Sequence, residues 1–162
     1  MKEKTCFFTG HRRIEPSEYG IARENLRKAV IDLIDRGVIY FGCGGAIGFD
    51  TLAAETVLEI KKRYPQIKLI MIYPCKNQDL FWDTESKNKY ARIKTLSDKC
   101  VYVSKEYNAQ CMHTRNRHMV DCSSYCICYY KKGNGGTAYT VEYAKRKGLT
   151  IINTANPPYQ KI

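Results

Sequence analysis

A chain of 162 residues has room for one domain with a single substantial core. No apolar run approaches the roughly 20 residues of a spanning helix, which excludes a helical membrane protein. Twenty-seven lysines and arginines against 16 aspartates and glutamates leave a net charge of +11. That balance calls for an acidic partner: a nucleotide, a nucleic acid or an anionic surface.

Met1-Lys2-Glu3-Lys4 leads straight into a strand without a secretory signal's apolar region, which predicts a cytoplasmic protein. Disulfides are rare in such a compartment, so the eight cysteines are expected to be reduced. Cys6, Cys43, Cys100, Cys126 and Cys128 lie in or beside apolar runs, where cysteine acts as a small hydrophobe. Cys126 and Cys128 form a C-x-C pair, and no second pair repeats a zinc spacing. Cys111, His113, His118 and Cys122 share parts of one helical face, but ordinary core and surface roles are favoured, and no metal is expected.

Thr5-Cys6-Phe7-Phe8 reads as the first strand and runs into Thr9-Gly10-His11-Arg12-Arg13. A strand ending in Thr-Gly and then cations suggests an anion at its carboxyl end. Pro16-Ser17-Glu18 offers helix-start chemistry, and Leu26, Ala29, Val30, Leu33 and Ile34 give an amphipathic helix ending near Gly37. Val38-Ile39-Tyr40-Phe41 is a second, buried strand. The turn Gly42 to Asp50 follows it, then a helix from Thr51 to Tyr64. Strand, glycine-rich turn and helix in that order put free N–H groups at a helix's positive end, a site for phosphate. Four glycines within seven residues are expected to let a ligand approach the backbone. Ile47 stands where a dinucleotide fingerprint needs its third glycine, and Gly48-Phe49-Asp50 is not the end of a P-loop.

Ile67 to Tyr73 is the third strand, and Cys75 to Trp82 is a loop whose Phe81 and Trp82 are assigned to packing, as is Tyr107. Asp83 to Ser97 reads as a polar helix, Cys100 to Val103 as the fourth strand, and Met112 to Asp121 as a helix carrying Arg115, Asn116 and Arg117. Tyr125 to Tyr130 is the fifth strand. Gly133, Gly135 and Gly136 then mark a second glycine-rich turn before a helix through Thr140 and Ala144, ended by Gly148. Leu149 to Ile152 is the last strand, residues 1–156 form the single domain, and the tail with Pro157-Pro158-Tyr159 is expected to be loosely ordered. Such alternation predicts a parallel sheet covered on both faces by right-handed crossovers. Ligands bind outside the carboxyl ends of such strands, so the turns after strands one, two and five should open onto one edge.

Four stretches, taken together, resemble a known family. They are Cys6-Phe7-Phe8-Thr9-Gly10-His11-Arg12; Gly44-Gly45-Ala46-x-Gly48-x-Asp50-x-x-Ala53-Ala54-Glu55; Arg115-Asn116-x-x-Met119-Val120-Asp121; and Gly135-Gly136-Thr137-x-x-Thr140-x-x-Tyr143-Ala144. They look like the YpsA-like branch of the SLOG superfamily, which also holds the DNA-processing protein Smf/DprA and the "lonely guy" phosphoribohydrolases. The resemblance implies a Rossmann-like three-layer α/β/α sandwich with a mostly parallel sheet of about six strands. It also implies binding of a nucleotide or a nucleotide-derived small molecule of the ADP-ribose or NAD kind, without a required cofactor. Relatives often dimerise, so a homodimer is expected.

The phosphoribohydrolases use an arginine from a Met-His-x-Arg-Lys helix and a glutamate after a Gly-Thr turn. Met112-His113-Thr114-Arg115-Asn116 matches the first except for its lysine, but Thr140 stands at the glutamate position and Glu142 points to a different helix face. Without that carboxylate to stabilise an oxocarbenium-like centre, the resemblance implies binding rather than hydrolysis. A hydrolase of an N-glycosidic or phosphate bond and a single-stranded nucleic-acid binder are the alternatives.

The ligand site is therefore assigned to Thr9, Gly10, His11 and Arg12; to Gly44, Gly45, Ala46, Gly48 and Asp50; to Arg115 and Asn116; and to Gly135, Gly136 and Thr137. Arg12 and Arg115 are the expected phosphate forks. Should a carboxylate do chemistry, Asp50, Glu55 and Asp121 are the candidates.

Overall fold

The computed structural model describes residues 1–155 and the backbone of residues 160 and 161. Strands and helices alternate: β1 (Thr5–Gly10), α1 (Tyr19–Asp35), β2 (Tyr40–Cys43), α2 (Phe49–Lys61), β3 (Lys68–Tyr73), α3 (Thr84–Leu96), β4 (Lys99–Tyr102), α4 (Cys111–Asp121), β5 (Tyr125–Tyr129), α5 (Gly136–Arg146) and β6 (Thr150–Asn153). These six strands are mutually parallel, in the order β4-β3-β2-β1-β5-β6. A two-residue seventh strand, β7 (Gln160–Lys161), pairs antiparallel with β6 and was not foreseen. The expected loose tail at Pro157-Pro158-Tyr159 lies outside the described residues.

The period of two along each strand decides which face each side chain enters. Cys6 and Phe8 point to one side with Phe41, Leu69, Met71, Tyr73 and Ile127, where α1, α2 and α3 cover them. Phe7, Ile72, Cys126, Cys128 and Ile151 point to the other, under α4 and α5. The division of helices follows from handedness. From β1 to β4 the chain steps one way across the sheet, and from β5 to β6 it steps the other way, so right-handed crossovers fall on opposite faces. The reversal lies between β1 and β5, which pair from Cys6↔Tyr125 to Gly10↔Tyr129. At such a switch point the two following loops diverge and leave a crevice.

Helix α3 has a small core face and a well-formed N-terminal cap. Asp83 accepts from the Ser86 N–H at 2.8 Å and from the Ser86 hydroxyl at 2.9 Å, and only Tyr90 and Ile93 of the helix are buried. No helix among the described residues is long and apolar enough to cross a membrane.

Candidate functional site

The crevice at the switch point is a cavity of about 320 Å³. Thr9, Gly10, His11 and Arg12 enter it from the end of β1, Ala46 and Asp50 from the β2–α2 turn, Arg115 and Asn116 from α4, and Gly136 and Thr137 from the start of α5. Three turns far apart in sequence thus meet at one edge, as the alternation predicts. Gly44, Gly45, Gly48 and Gly135 do not line the cavity.

Gly44, Gly45 and Gly48 serve a different purpose from the expected one, whereas a Cβ on Gly135 would meet nothing within 4 Å. A Cβ on Gly44 would stand within the Arg115 guanidinium, and one on Gly48, at φ +83°, would strike the Arg12 carbonyl. A Cβ on Gly45 would lie 2.6 Å from the Tyr73 ring, and one on Gly10 would lie 2.5 Å from the Phe49 ring. The space over Gly44, Gly45 and Gly48 is filled by the protein itself. Glycine lets the β1–α1 loop dock on the β2–α2 turn, where the Phe49 N–H donates to the His11 carbonyl at 3.2 Å.

His11 is locked as a neutral ring. Its Nε2 accepts from the Lys131 N–H at 3.1 Å, so its own proton sits on Nδ1. Burial, and then the Lys131 ammonium, hold its pKa below the usual 6.5. The ring stands edge-on to Tyr129 and beside Tyr130, with centroids 5.9 and 5.8 Å away. Lys131 itself reaches Glu18 at 2.7 Å, and Arg13 reaches Glu15 at 3.9 Å. Arg12 is exposed and forms no ion pair among the described residues. It lines the cavity and is free to meet an anion.

Asp50 and Arg115 form the floor. Asp50, 6% exposed, accepts from the Ala46 N–H at 3.1 Å, and the Thr51 hydroxyl donates to the Ala46 carbonyl at 3.1 Å, which fixes the turn on the first turn of α2. Burial pushes the Asp50 carboxyl up to about 6, against the pull of Arg115, the Ala46 N–H and Arg12. Arg115 is 4% exposed. Its Nη1 donates to the carbonyls of Gly44 and Ile72, the latter at 3.3 Å, and its Nε donates to Asn116 Oδ1 at 2.8 Å. The guanidinium expected to fork a phosphate instead ties α4 to the ends of β2 and β3.

The other carboxylates are elsewhere. Glu55 lines a separate cleft with Tyr19, Ser86 and Lys89. Asp121 is exposed and accepts from the Tyr143 hydroxyl at 2.8 Å, and Glu142 pairs with Lys145 at 3.7 Å. Thr140 is buried and donates to the Gly136 carbonyl at 2.7 Å. Asp50 is thus the one carboxylate candidate on the cavity wall. Arg117 lies over the Tyr143 ring at 5.5 Å. Cys111 is buried, His113 packs edge-on to Tyr139, and Cys122 lies 3.8 Å from His118 Nε2, so these four do not converge.

Sequence reasoning missed Met112, Met119 and Asn134 on the cavity wall, and the locking role of Lys131. It also assigned Phe81 and Tyr107 to packing, yet they are 94% and 67% exposed. Trp82 does pack, edge-on to Tyr90 at 5.4 Å. Phe81 and Tyr107 sit in two irregular loops with no periodicity to bring them together, so no pattern in the chain announces their meeting.

The likeness to DprA structures is one of fold. DprA from Streptococcus pneumoniae superposes with a TM-score of 0.69 at 17% identity, covering 94% of this chain and 50% of the other. DprA from Helicobacter pylori, in a structure described for its single-stranded DNA binding mode, gives 0.67 at 18%, covering 94% and 65%. The chain therefore spans half to two thirds of those proteins. In sequence it is 30% identical over 140 residues to the SPbeta prophage-derived protein YoqJ of Bacillus subtilis, covering 78% of this chain and 82% of the relative. It is 28% identical over 129 residues to a UPF0398 protein of Halalkalibacterium halodurans, covering 77% and 68%. The YpsA model, described as the YspA SLOG family, matches residues 6–153, nearly the whole chain and every wall of the cavity; the protein belongs to that family.

Proposed function

We propose that the chain binds a nucleotide or nucleotide-derived small molecule, with a phosphate in the switch-point cavity. The observation that carries this reading is the composition of one wall: the free Arg12 cation, the neutral His11 ring and the opening turn of α5 all border the same space. The N–H groups at the start of an 11-residue helix have no intrahelical partner and favour an anion. The cavity volume falls in the range of small-ligand sites.

Binding without turnover is the favoured mode. Asp50 is held by the Ala46 N–H, and the position where related hydrolases carry a glutamate is filled by Thr140, whose hydroxyl is bonded to the Gly136 carbonyl. The second reading is a single-stranded DNA binder, favoured by the exposed Phe81 and Tyr107 near Arg12 and by the DprA structure described for that activity.

A thermal-shift series with ADP-ribose, NAD, AMP and short single-stranded DNA tests the reading. A ligand at about a hundred times its dissociation constant adds roughly 2.7 kcal/mol. The expected result is a shift with a small nucleotide that disappears in Arg12→Ala, with the ligand recovered intact after overnight incubation. Release of free base or ribose phosphate would establish the hydrolase. A shift with DNA alone, lost steeply as salt rises, would establish the DNA binder.

A further inference from the structure

A second chamber of about 300 Å³ adjoins the phosphate cavity, between the β3–α3 loop and the segment leading into α4. Arg12 and Met112 line both chambers, so the two share a wall. The second differs in character from the first. Phe81, Tyr107, Leu80 and Trp82 give it an aromatic and apolar lining. Phe81 and Tyr107 stay in water although the fold has apolar interior on both faces of its sheet, and contiguous exposed apolar groups of this kind mark binding sites. Gln78 lines the same chamber, with its amide nitrogen and oxygen buried and without partners. A buried amide without partners needs explaining, because nearly all such groups in folded proteins are bonded.

Flat aromatic walls, an amide able both to donate and to accept, and a cation at the boundary with an anion site match one ligand fragment. It is a nucleobase attached to a phosphate. Every base offers a π-face for stacking and an edge of donors and acceptors. Two adjoining chambers of this size suit a single nucleotide better than a polymer.

We propose that the chamber of Phe81 and Tyr107 is a nucleobase subsite, so that one nucleotide lies with its phosphate beside His11 and Arg12 and its base against these rings. The proposal rests on the nucleotide reading above and adds to it the class of ligand: a base-bearing nucleotide, not a sugar phosphate.

Calorimetric titration of the full chain with AMP and with ribose 5-phosphate tests it. AMP is expected to bind at least tenfold more tightly than ribose 5-phosphate. Phe81→Ala and Tyr107→Ala, both at exposed positions that leave the fold intact, should each weaken AMP by about tenfold, equivalent to about 1.4 kcal/mol. Neither should change ribose 5-phosphate affinity, whereas Arg12→Ala should weaken both ligands. Unchanged AMP affinity in both aromatic variants, with both ligands still sensitive to Arg12→Ala, would overturn the base subsite and leave the phosphate reading standing. Failure of both ligands to bind wild-type protein would overturn both. Binding of oligothymidylate without binding of AMP would assign the chamber to a polynucleotide and overturn the single-nucleotide subsite.

Discussion

The guanidinium of Arg115 occupies the volume where any side chain on Gly44 would begin, and its Nη1 donates to the Gly44 carbonyl. One residue from α4 thereby closes the carboxyl ends of β2 and β3 through Gly44 and Ile72. Gly44→Ala should therefore act on stability before it acts on binding. Overpacking of this kind typically costs about 1–3 kcal/mol, readable as a lower urea midpoint.

Arg115→Ala removes a buried cation that faces Asp50 and leaves carbonyl groups without their donor. Each buried acceptor left unsatisfied costs about 1–3 kcal/mol, so the variant should be strongly destabilised. Arg115→Lys should recover little of this, because an ammonium lacks the planar fork that reaches two carbonyls and Asn116 together. Far-UV circular dichroism through a urea titration distinguishes these outcomes.

Asp50 predicts a pH dependence of defined sign. Its carboxyl is raised from 3.8 to about 6, so through that interval the folded chain binds more protons than the unfolded chain. Its contribution to stability accordingly falls as pH rises through the window, and the loss is complete above the folded value. Asp83, Glu18 and Asp98 are shifted downward and contribute in the opposite sense. The clean measurement is the difference between wild type and Asp50→Asn. Wild type should lose of order 1–3 kcal/mol relative to the variant between pH values near 4 and 7. A parallel pair of stability curves would contradict the burial of a titrating Asp50.

Gly48→Ala should damage both fold and site. Its φ of +83° is strained for an L side chain, and the new methyl meets the Arg12 carbonyl, so the loop bearing His11 and Arg12 must move. Lower stability together with lost phosphate binding is expected. Arg12→Ala, by contrast, should lose binding with an unchanged melting temperature.

Asp83→Ala removes the N-cap of a helix that buries only two side chains. A loss of about 1 kcal/mol is expected. Since α3 follows the loop of Phe81, amide exchange should rise in α3 and in that loop while β1 and β5 stay protected.

Much of this architecture is legible in local pattern. Strand alternation at Cys6-Phe7-Phe8, the spacing of Leu26, Val30 and Leu33, and the turn chemistry at Gly37 and Gly148 each report short-range physics, and each element stands within a few residues of its expected place. The edge that gathers Thr9 to Arg12, Ala46, Asp50 and Thr137 was equally legible, because crossover handedness leaves few ways to arrange such a chain. Residue roles were less so. Arg115 looks like any phosphate-binding arginine until the carbonyls of Gly44 and Ile72, 71 and 43 residues away, are seen to accept from it.

The sequence by itself determined the order of elements, the parallel sheet, the family and the edge at which the site lies, since periodicity, turn residues and motif spacing act over a few residues. Only the tertiary structure decided that Gly44, Gly45 and Gly48 admit the protein's own groups, that Arg115 is a brace, that Asp50 is the buried carboxylate of the cavity, and that Phe81 and Tyr107 stand together in water. Each of these is set by contacts between segments distant in the chain, where burial and steric exclusion act through space and leave no periodic trace in the sequence.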